Sequence, residues 1–484
     1  MTEQATSVAA VIVLAAGAGT RMKSTKSKLL HEIAGRSLLS HAVDAAEHLH
    51  PRRMVVVVGH EREQVTAHLT EIAPGALTAV QERQLGTGDA VRCGLAVLES
   101  TEGEVVVTMG DVPLLEGETL EALVAQHRAT GDGVTILTSE LSDPTGYGRI
   151  VRDAGGDQVA AIVEQRDCTA EQAAIREINA GIYVFDGGVL RDGLASLTTD
   201  NDQSELYLTD VVRYARSAGR GVHTLVLADR WQTEGVNDRV QLATLGRELN
   251  RRIVERWMRA GVTVVDPATT WIQASVDLAP DVTLLPNTSL EGATSVASGA
   301  TIGPDTTLVD VEVGEGATVI RTHGSLSVIG AGASVGPFSF LRPGTELGVK
   351  GKIGAFVETK NAVIGDGAKV PHLTYCGDAE IGPGANIGAG TIFANYDGVV
   401  KSKTRVGKAS FVGSNSVLVA PVQISDGAYV AAGSAVTEDV DPGQLGIARS
   451  RQRNIPGWVE TRRGDTATWQ AAREAIDNEG ATEQ

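Results

Sequence analysis

After Pro267 the chain settles into a six-residue beat: Ile329, Val335, Leu341, Leu347 and Ile353, then Val406, Val412, Leu418, Ile424, Val430 and Val436. Glycine often follows directly, as in Ile302-Gly303, Val335-Gly336, Ile353-Gly354, Ile387-Gly388 and Val412-Gly413. A period of six is the signature of a solenoid, in which each aliphatic points into a narrow core and small residues turn the corners. A generic sandwich with scattered glycines does not produce unbroken six-spacings over five or six repeats. The composition agrees, with 56 Gly in 484 residues and aromatics at only 4% while hydrophobics stay at 42%. The beat is interrupted between Val370 and Ile381 and between Phe393 and Val406. Both interruptions are expected to project as loops, which in solenoids often form the binding face.

The first half reads differently. Short apolar runs such as Val11–Leu14, Met54–Val58, Val105–Met109, Val134–Leu137 and Ile182–Phe185 alternate with longer amphipathic segments. Strands buried on both faces with helices between them predict an α/β domain with a mainly parallel sheet. Leu242, Leu245, Leu249, Ile253 and Trp257, at three- and four-residue spacing, predict a helical connector. The expected domains are therefore 1–235, a helical linker at 236–262, a β-helix at 263–458 and an acidic, partly helical or disordered tail at 459–484.

Lys and Arg total 42 against 60 Asp and Glu, a formal net charge of -18. That balance argues against nucleic acid or an anionic membrane as main partner, and leaves small anionic substrates open where basic residues gather locally. Three cysteines, Cys93, Cys168 and Cys376, suit a reducing compartment better than a disulfide framework, and a cytoplasmic location is expected. The run Val8–Ala16 lacks the flanking Lys or Arg of a signal segment, and no stretch reaches the roughly 18 apolar residues of a membrane span.

Directly after the first predicted strand comes Leu14-Ala15-Ala16-Gly17-Ala18-Gly19-Thr20-Arg21-Met22. Small residues there free backbone amides to face a phosphate or base, although the loop is neither a Walker A motif nor a full dinucleotide fingerprint. Its company strengthens it: Lys28, Gln81, Gln84-Leu85-Gly86-Thr87-Gly88, and Gly110-Asp111-Val112-Pro113-Leu114 after another strand. Together these resemble the sugar-1-phosphate nucleotidyltransferases, and the last two motifs point to the uridylyltransferase branch. The resemblance implies that Leu14, Ala15, Ala16, Gly17, Lys28, Gln81, Gly86 and Thr87 bind the nucleotide. Arg21 and Lys28 suit the charge that grows on phosphate oxygens during transfer. Ser27 stands where the family has Pro, which leaves open whether Lys26 shares the work of Lys28. Magnesium favours hard oxygens, so Asp111 is the leading ligand, with Asn237 as the second ligand that the resemblance implies. By matching motifs, Gly148, Glu164, Asn179 and Asn237 are expected to bind the sugar phosphate.

The hexapeptide pattern resembles the left-handed parallel β-helix acyltransferases, which are typically trimers. Phe340-Leu341-Arg342-Pro343-Gly344, Glu358-Thr359-Lys360, His372-Leu373-Thr374-Tyr375, Asn386 and Asn395-Tyr396-Asp397-Gly398 match one family more closely. It is the bifunctional N-acetylglucosamine-1-phosphate uridyltransferase/glucosamine-1-phosphate acetyltransferases, and the likeness runs from Val8 to about Trp458. The fold it implies is a Rossmann-like nucleotidyltransferase domain, a helical linker and a left-handed β-helix. The function it implies is acetyl transfer from acetyl-CoA to glucosamine-1-phosphate, then magnesium-dependent uridylyl transfer from UTP. His372 is the expected general base for the acetyl step, since imidazole titrates near neutrality. Arg342, Lys360, Tyr375 and Asn386 are expected to hold the amino-sugar phosphate. Ala389, Asn395, Tyr396, Ser414, Ala432 and Arg449 are expected to contact acetyl-CoA, with the site lying between columns of a homotrimer. Glu358 is a candidate to orient His372, and nothing marks Cys376 as a nucleophile. Two rivals remain: a single-function nucleotidyltransferase with a structural or regulatory β-helix, and a non-catalytic scaffold.

Overall fold

A computed structural model describes residues 7–482. They form two compact units, the first ending at Val311 and the second starting at Glu312.

The first unit is built on a sheet of strands β1 (Ala10–Ala15), β2 (Met54–Val58), β3 (Leu77–Val80), β4 (Glu104–Met109), β5 (Val134–Glu140), β6 (Arg149–Arg152), β7 (Val159–Val163), β8 (Glu177–Asp186) and β9 (Val222–Leu227). Their order is β9-β5-β8-β4-β1-β2-β3, with β6 and β7 as a side hairpin. Alternate residues of β1 enter different cores: Val11 and Val13 pack with Leu39, Val43 and Leu120 on one face, Ala10 and Ile12 with Val91, Leu190 and Val211 on the other. A strand covered by helices on both sides can be apolar at every position, which is why these runs carry no polar alternation. One strand departs from the parallel expectation. The run Ile182–Phe185 belongs to β8, which is antiparallel to both β4 and β5. It is entered from the β6–β7 hairpin, and no long helical crossover precedes it.

The connector is a helix over Arg239–Arg259, with Asp238 accepting from the amides of Val240 and Gln241 at its start. Leu242, Leu245 and Leu249 seat it on Met22, Ile33, Leu38, Leu114 and Val236. Buried Asn250 then bonds the Thr270 carbonyl at 2.8 Å and the Ile272 amide at 3.0 Å, so the first coils of the repeat belong to this compact unit.

In the second unit, parallel strands stack coil upon coil. Val335 pairs with Ile353, Val412 with Val430 and Leu418 with Val436, each three hexapeptides on. The eleven aliphatics of the two sequence series are all at most 4% exposed. Only one interruption projects. Between Val370 and Ile381 the chain stays in the column as the strand Tyr375–Ile381, in register with Glu358–Ile364, and bends through Asp378 at φ 49. A shortened coil breaks the beat in the sequence without expelling any chain. Between Phe393 and Val406 the extra residues do leave the column, as a hairpin bridged by Tyr396 and Lys401. The tail is helical over Trp458–Arg463 and Ala467–Thr482; Glu483 and Gln484 lie outside the described residues. No helix among the described residues is long and apolar enough to cross a membrane.

Candidate active sites

Strand β1 pairs with β2 on one side and β4 on the other. The strand order reverses there, and the crevice beyond the carboxyl ends is where an open α/β sheet offers a ligand site. The loop leaving β1 turns back at Gly19, whose φ is +57 and where a Cβ would stand 2.7 Å from that of Lys28. Glycine therefore lets Lys28 enter the crevice, and its Nζ lies 2.5 Å from Asp111 Oδ2. Lys26 instead faces Glu32 at 3.4 Å on the surface, which separates two lysines that the sequence left together.

Leu14, Ala15, Ala16, Gly17, Lys28, Gln81, Gly86, Thr87 and Asp111 line one cavity of about 220 Å³, joined by Gln84 and Glu205. Gln81 is 5% exposed, and its amide nitrogen donates to the Gly86 carbonyl at 3.0 Å and to Asp89 Oδ2 at 2.9 Å. Gln84 donates to the Ala16 carbonyl at 2.8 Å and ties the two loops of the crevice together.

A second cavity, of about 450 Å³, is lined by Arg21, Asp111, Gly148, Glu164, Asn179 and Asn237, with Tyr147, Thr209 and Gln241 besides. Leu14, Thr87, Met109 and Asp111 line both cavities, so the two meet at Asp111. The Val236 amide donates to the Asp111 carbonyl at 2.9 Å, and Arg21 Nη2 donates to Asn237 Oδ1 at 2.8 Å. Burial holds the Glu164 carboxyl above the usual range, and the nearby charges of Asp167, Asp210 and Glu205 add to this against the opposing Thr209 hydroxyl. Asn179 donates to the Tyr183 hydroxyl at 2.7 Å.

Of the residues singled out in the second unit, the structure brings together Arg342, Glu358, Tyr375 and Asn395 in one group and Ala389, Ser414, Ala432 and Arg449 in another. Arg342 Nη1 contacts Glu358 Oε1 at 2.9 Å, and Glu358 lies opposite Tyr375 in the strand register. Glu358 is thus held by Arg342, and no hydrogen bond joins it to His372. Asn395 donates to the Tyr375 hydroxyl at 3.5 Å and to Asp378 Oδ2 at 2.5 Å. The His372 ring is exposed, while its carbonyl accepts from Thr374 Oγ1 at 2.8 Å and from the Gly390 amide at 3.2 Å, which brings it beside Ala389. Ile387 pairs with Val412 and Val412 with Val430, so Ala389, Ser414 and Ala432, each two residues on, lie on successive coils at one corner. The Arg449 stem passes 3.8 Å from where a Gly433 Cβ would stand, at the end of that strip. Lys360 sits opposite Gly377, and Asn386 opposite Lys369. Cys376 is fully buried and its thiol is pushed up to about 12 by burial, which keeps it a protonated core residue.

Glu205, Tyr147 and Thr209 lie in the first two cavities without having been singled out in the sequence. Tyr147 sits inside a motif that was. Glu205 arrives through long-range contacts with no local signal, among them the Leu206 carbonyl accepting the Gly88 amide at 2.8 Å and the Leu206 amide donating to the Leu85 carbonyl at 2.7 Å.

Residues 11–177 match the family described as the MobA-like NTP transferase domain. Bifunctional protein GlmU of Pseudarthrobacter chlorophenolicus is 57% identical over 100% of this chain and 98% of its own length. Those of Rhodococcus opacus and Streptomyces avermitilis are 56% and 55% identical, over 96% of this chain and 95% and 97% of theirs. With identity of this degree running end to end through both the crevice and the repeat, the chain belongs to the bifunctional GlmU family and is a two-activity transferase.

Proposed function

We propose that the second unit acetylates glucosamine-1-phosphate with acetyl-CoA and that the crevice then joins the product to UTP, releasing pyrophosphate and UDP-N-acetylglucosamine. The observation that carries the crevice reading is the pair of cavities meeting at Asp111, since a nucleotide in one and a sugar phosphate in the other bring attacking oxygen and α-phosphorus together. Arg21 and Lys28 neutralise the charge that moves onto the pyrophosphate. Both N–H groups of Gln81 are engaged by the protein, which leaves its carbonyl oxygen for a base N–H. Uracil offers a donor at its ring N3 where cytosine offers an acceptor, which supports UTP.

Asp111 and Asn237 fit magnesium: both line the larger cavity, and each offers an oxygen, Asp111 Oδ2 beside Lys28 and Asn237 Oδ1 beside Arg21. Among the described residues no cluster of three or more His, Cys, Asp or Glu is built to hold a metal. A two-oxygen set completed by water and phosphate is the arrangement magnesium usually accepts, and bound there it would polarise the phosphates.

In the acetyl step, Tyr375 and Asn386 hold the amino sugar, and Arg342 and Lys360 its phosphate. His372 takes a proton from the ammonium group and releases it to solvent, the freed amine attacks the thioester carbon, the adduct gives its second N–H proton to His372 as the carbon–sulfur bond breaks, and that proton passes to the leaving thiolate. The strip of Ala389, Ser414 and Ala432 gives the pantetheine arm a smooth corner, with Asn395, Tyr396 and Arg449 around the coenzyme. The exposure of His372 on a single chain supports a site closed by neighbouring columns of a homotrimer. We assign the uridylyltransferase to 1–235, the linker to 236–262, the acetyltransferase to 263–458 and the tail to 459–484. Three unpaired cysteines support a cytoplasmic enzyme.

The test supplies glucosamine-1-phosphate, acetyl-CoA, UTP and magnesium, omits each in turn, and follows products by mass spectrometry. N-acetylglucosamine-1-phosphate should accumulate when UTP alone is withheld; its absence there would remove the acetyl half of the proposal. Glu164 provides a second check. Hydrogen bonds to charged groups contribute about 1.5–3 kcal/mol, so Glu164→Gln should raise KM for N-acetylglucosamine-1-phosphate by at least about 10-fold. Because the folded carboxyl binds its proton more tightly than usual, acceptor strength is lost as pH falls. The wild-type KM for the sugar phosphate should therefore rise on acidification, and that dependence should flatten in the Gln variant.

A further inference from the structure

Arg149 is 1% exposed and the bulkiest of the fully buried side chains. A guanidinium keeps its proton in proteins, so a full charge is buried with it. Among the described residues no carboxylate forms an ion pair with it, and Asp143 senses the charge only through space. Nη1 donates to the Tyr147 carbonyl, Nη2 donates to Gln165 Oε1 at 2.7 Å, and Nε has no partner. An ion held this way is costly, and an apolar chain of similar volume would fill the space without that cost.

What the guanidinium grips is the wall of the larger cavity. Gln165 Oε1 also accepts the Gly146 amide at 3.1 Å, and the Gly148 carbonyl accepts the Asn179 amide at 2.9 Å. In the β6–β7 register Arg149 lies opposite Val163, the residue before Glu164. One side chain therefore fastens the turn that carries Gly146, Tyr147 and Gly148 to the segment that carries Glu164 and Gln165. The turn needs such a fastening, because Gly146 at φ +91 has no neighbour near its missing Cβ and glycine resists no rotation by itself.

We propose that Arg149 is a positioning residue for sugar-phosphate recognition: through Gln165 and the Tyr147 carbonyl it sets the spacing between Gly148 and Glu164 across the cavity. This rests on the uridylyltransferase reading of the crevice. The nucleotide cavity shares none of these contacts, so the effect of loosening the clamp falls on one substrate.

The test measures steady-state uridylyl transfer by the full-length protein with each substrate varied in turn, for Arg149→Met, Arg149→Lys, Gln165→Ala and Gln165→Glu. A charge-assisted hydrogen bond governs the clamp, so Arg149→Met should raise KM for N-acetylglucosamine-1-phosphate on the order of 10-fold and leave KM for UTP within about twofold. Arg149→Lys reaches one acceptor at a time and should fall between. Gln165→Glu keeps an oxygen for both donors and gives the guanidinium a counter-charge, so its KM for the sugar phosphate should rise less than that of Gln165→Ala. Equal rises in both KM values, or no rise in Arg149→Met, would overturn the proposal. If Arg149→Met does not fold, Gln165→Ala should show the same split between the two KM values, and its absence there would overturn the proposal equally. Failure of the underlying reading is distinguishable, since wild-type protein would then turn over no sugar phosphate at all.

Discussion

Replacing Asp111 with alanine should lower uridylyl-transfer kcat/KM by at least about 100-fold, the scale of losing one preorganised electrostatic group from a phosphoryl-transfer site. Acetyl transfer should stay within about twofold. The carboxylate lines both cavities, is the partner of Lys28 at 2.5 Å and, in the proposed reading, is one of two groups offering an oxygen to magnesium. Its removal frees Lys28 and weakens the metal site together. The loop itself should hold, because Val236 bonds the Asp111 carbonyl rather than its side chain. Titrating magnesium at fixed UTP separates these effects: the alanine variant should need more metal for half-maximal rate, and Asp111→Asn, which keeps one oxygen, should need less than alanine does. A parallel fall in acetyl transfer would contradict the assignment of Asp111 to one activity.

His372→Ala should do the reverse. A positioned general base contributes about 10²- to 10⁴-fold, and acetyl transfer should fall by that factor with uridylyl transfer unchanged. The ring has no hydrogen-bond partner among the described residues and is exposed, so its loss disturbs little packing. Added imidazole separates a proton acceptor from a structural residue, since it should restore part of the variant's rate. If the rate drops and imidazole restores none of it, His372 is not the base.

The β-helix was legible from one period, because every coil repeats the same burial and the core aliphatics Ile329 through Val436 had nowhere else to point. The crevice was legible through motifs that sit at strand ends, such as Gly110-Asp111 after β4. Other features depended on how the chain folds. The shortened coil before Ile381 looked like a loop, since deletion of a corner position breaks a sequence period while leaving strand register intact. The reversed direction of β8 followed from a hairpin, Arg149–Arg152 with Val159–Val163, that was not among the apolar runs read as strands. Glu205 reaches the smaller cavity through long-range contacts such as the backbone pairing of Leu85 and Gly88 with Leu206. Glu358, expected to orient His372, was seen to pair with Arg342 only once their strands were aligned, and the Lys26 and Lys28 pair separated only when Gly19 fixed the path of the loop.

The hairpin bridged by Tyr396 and Lys401 leaves the column and returns so that Val406 still lies beneath Ile381. The rungs on either side are joined as though the intervening residues were not there. An excursion of that kind can lengthen, shorten or change its charges without unsettling its neighbours, because no later rung inherits the alteration. In evolutionary terms the column is a frame that accepts parentheses: binding chemistry can be rewritten within one coil while every other coil keeps its place.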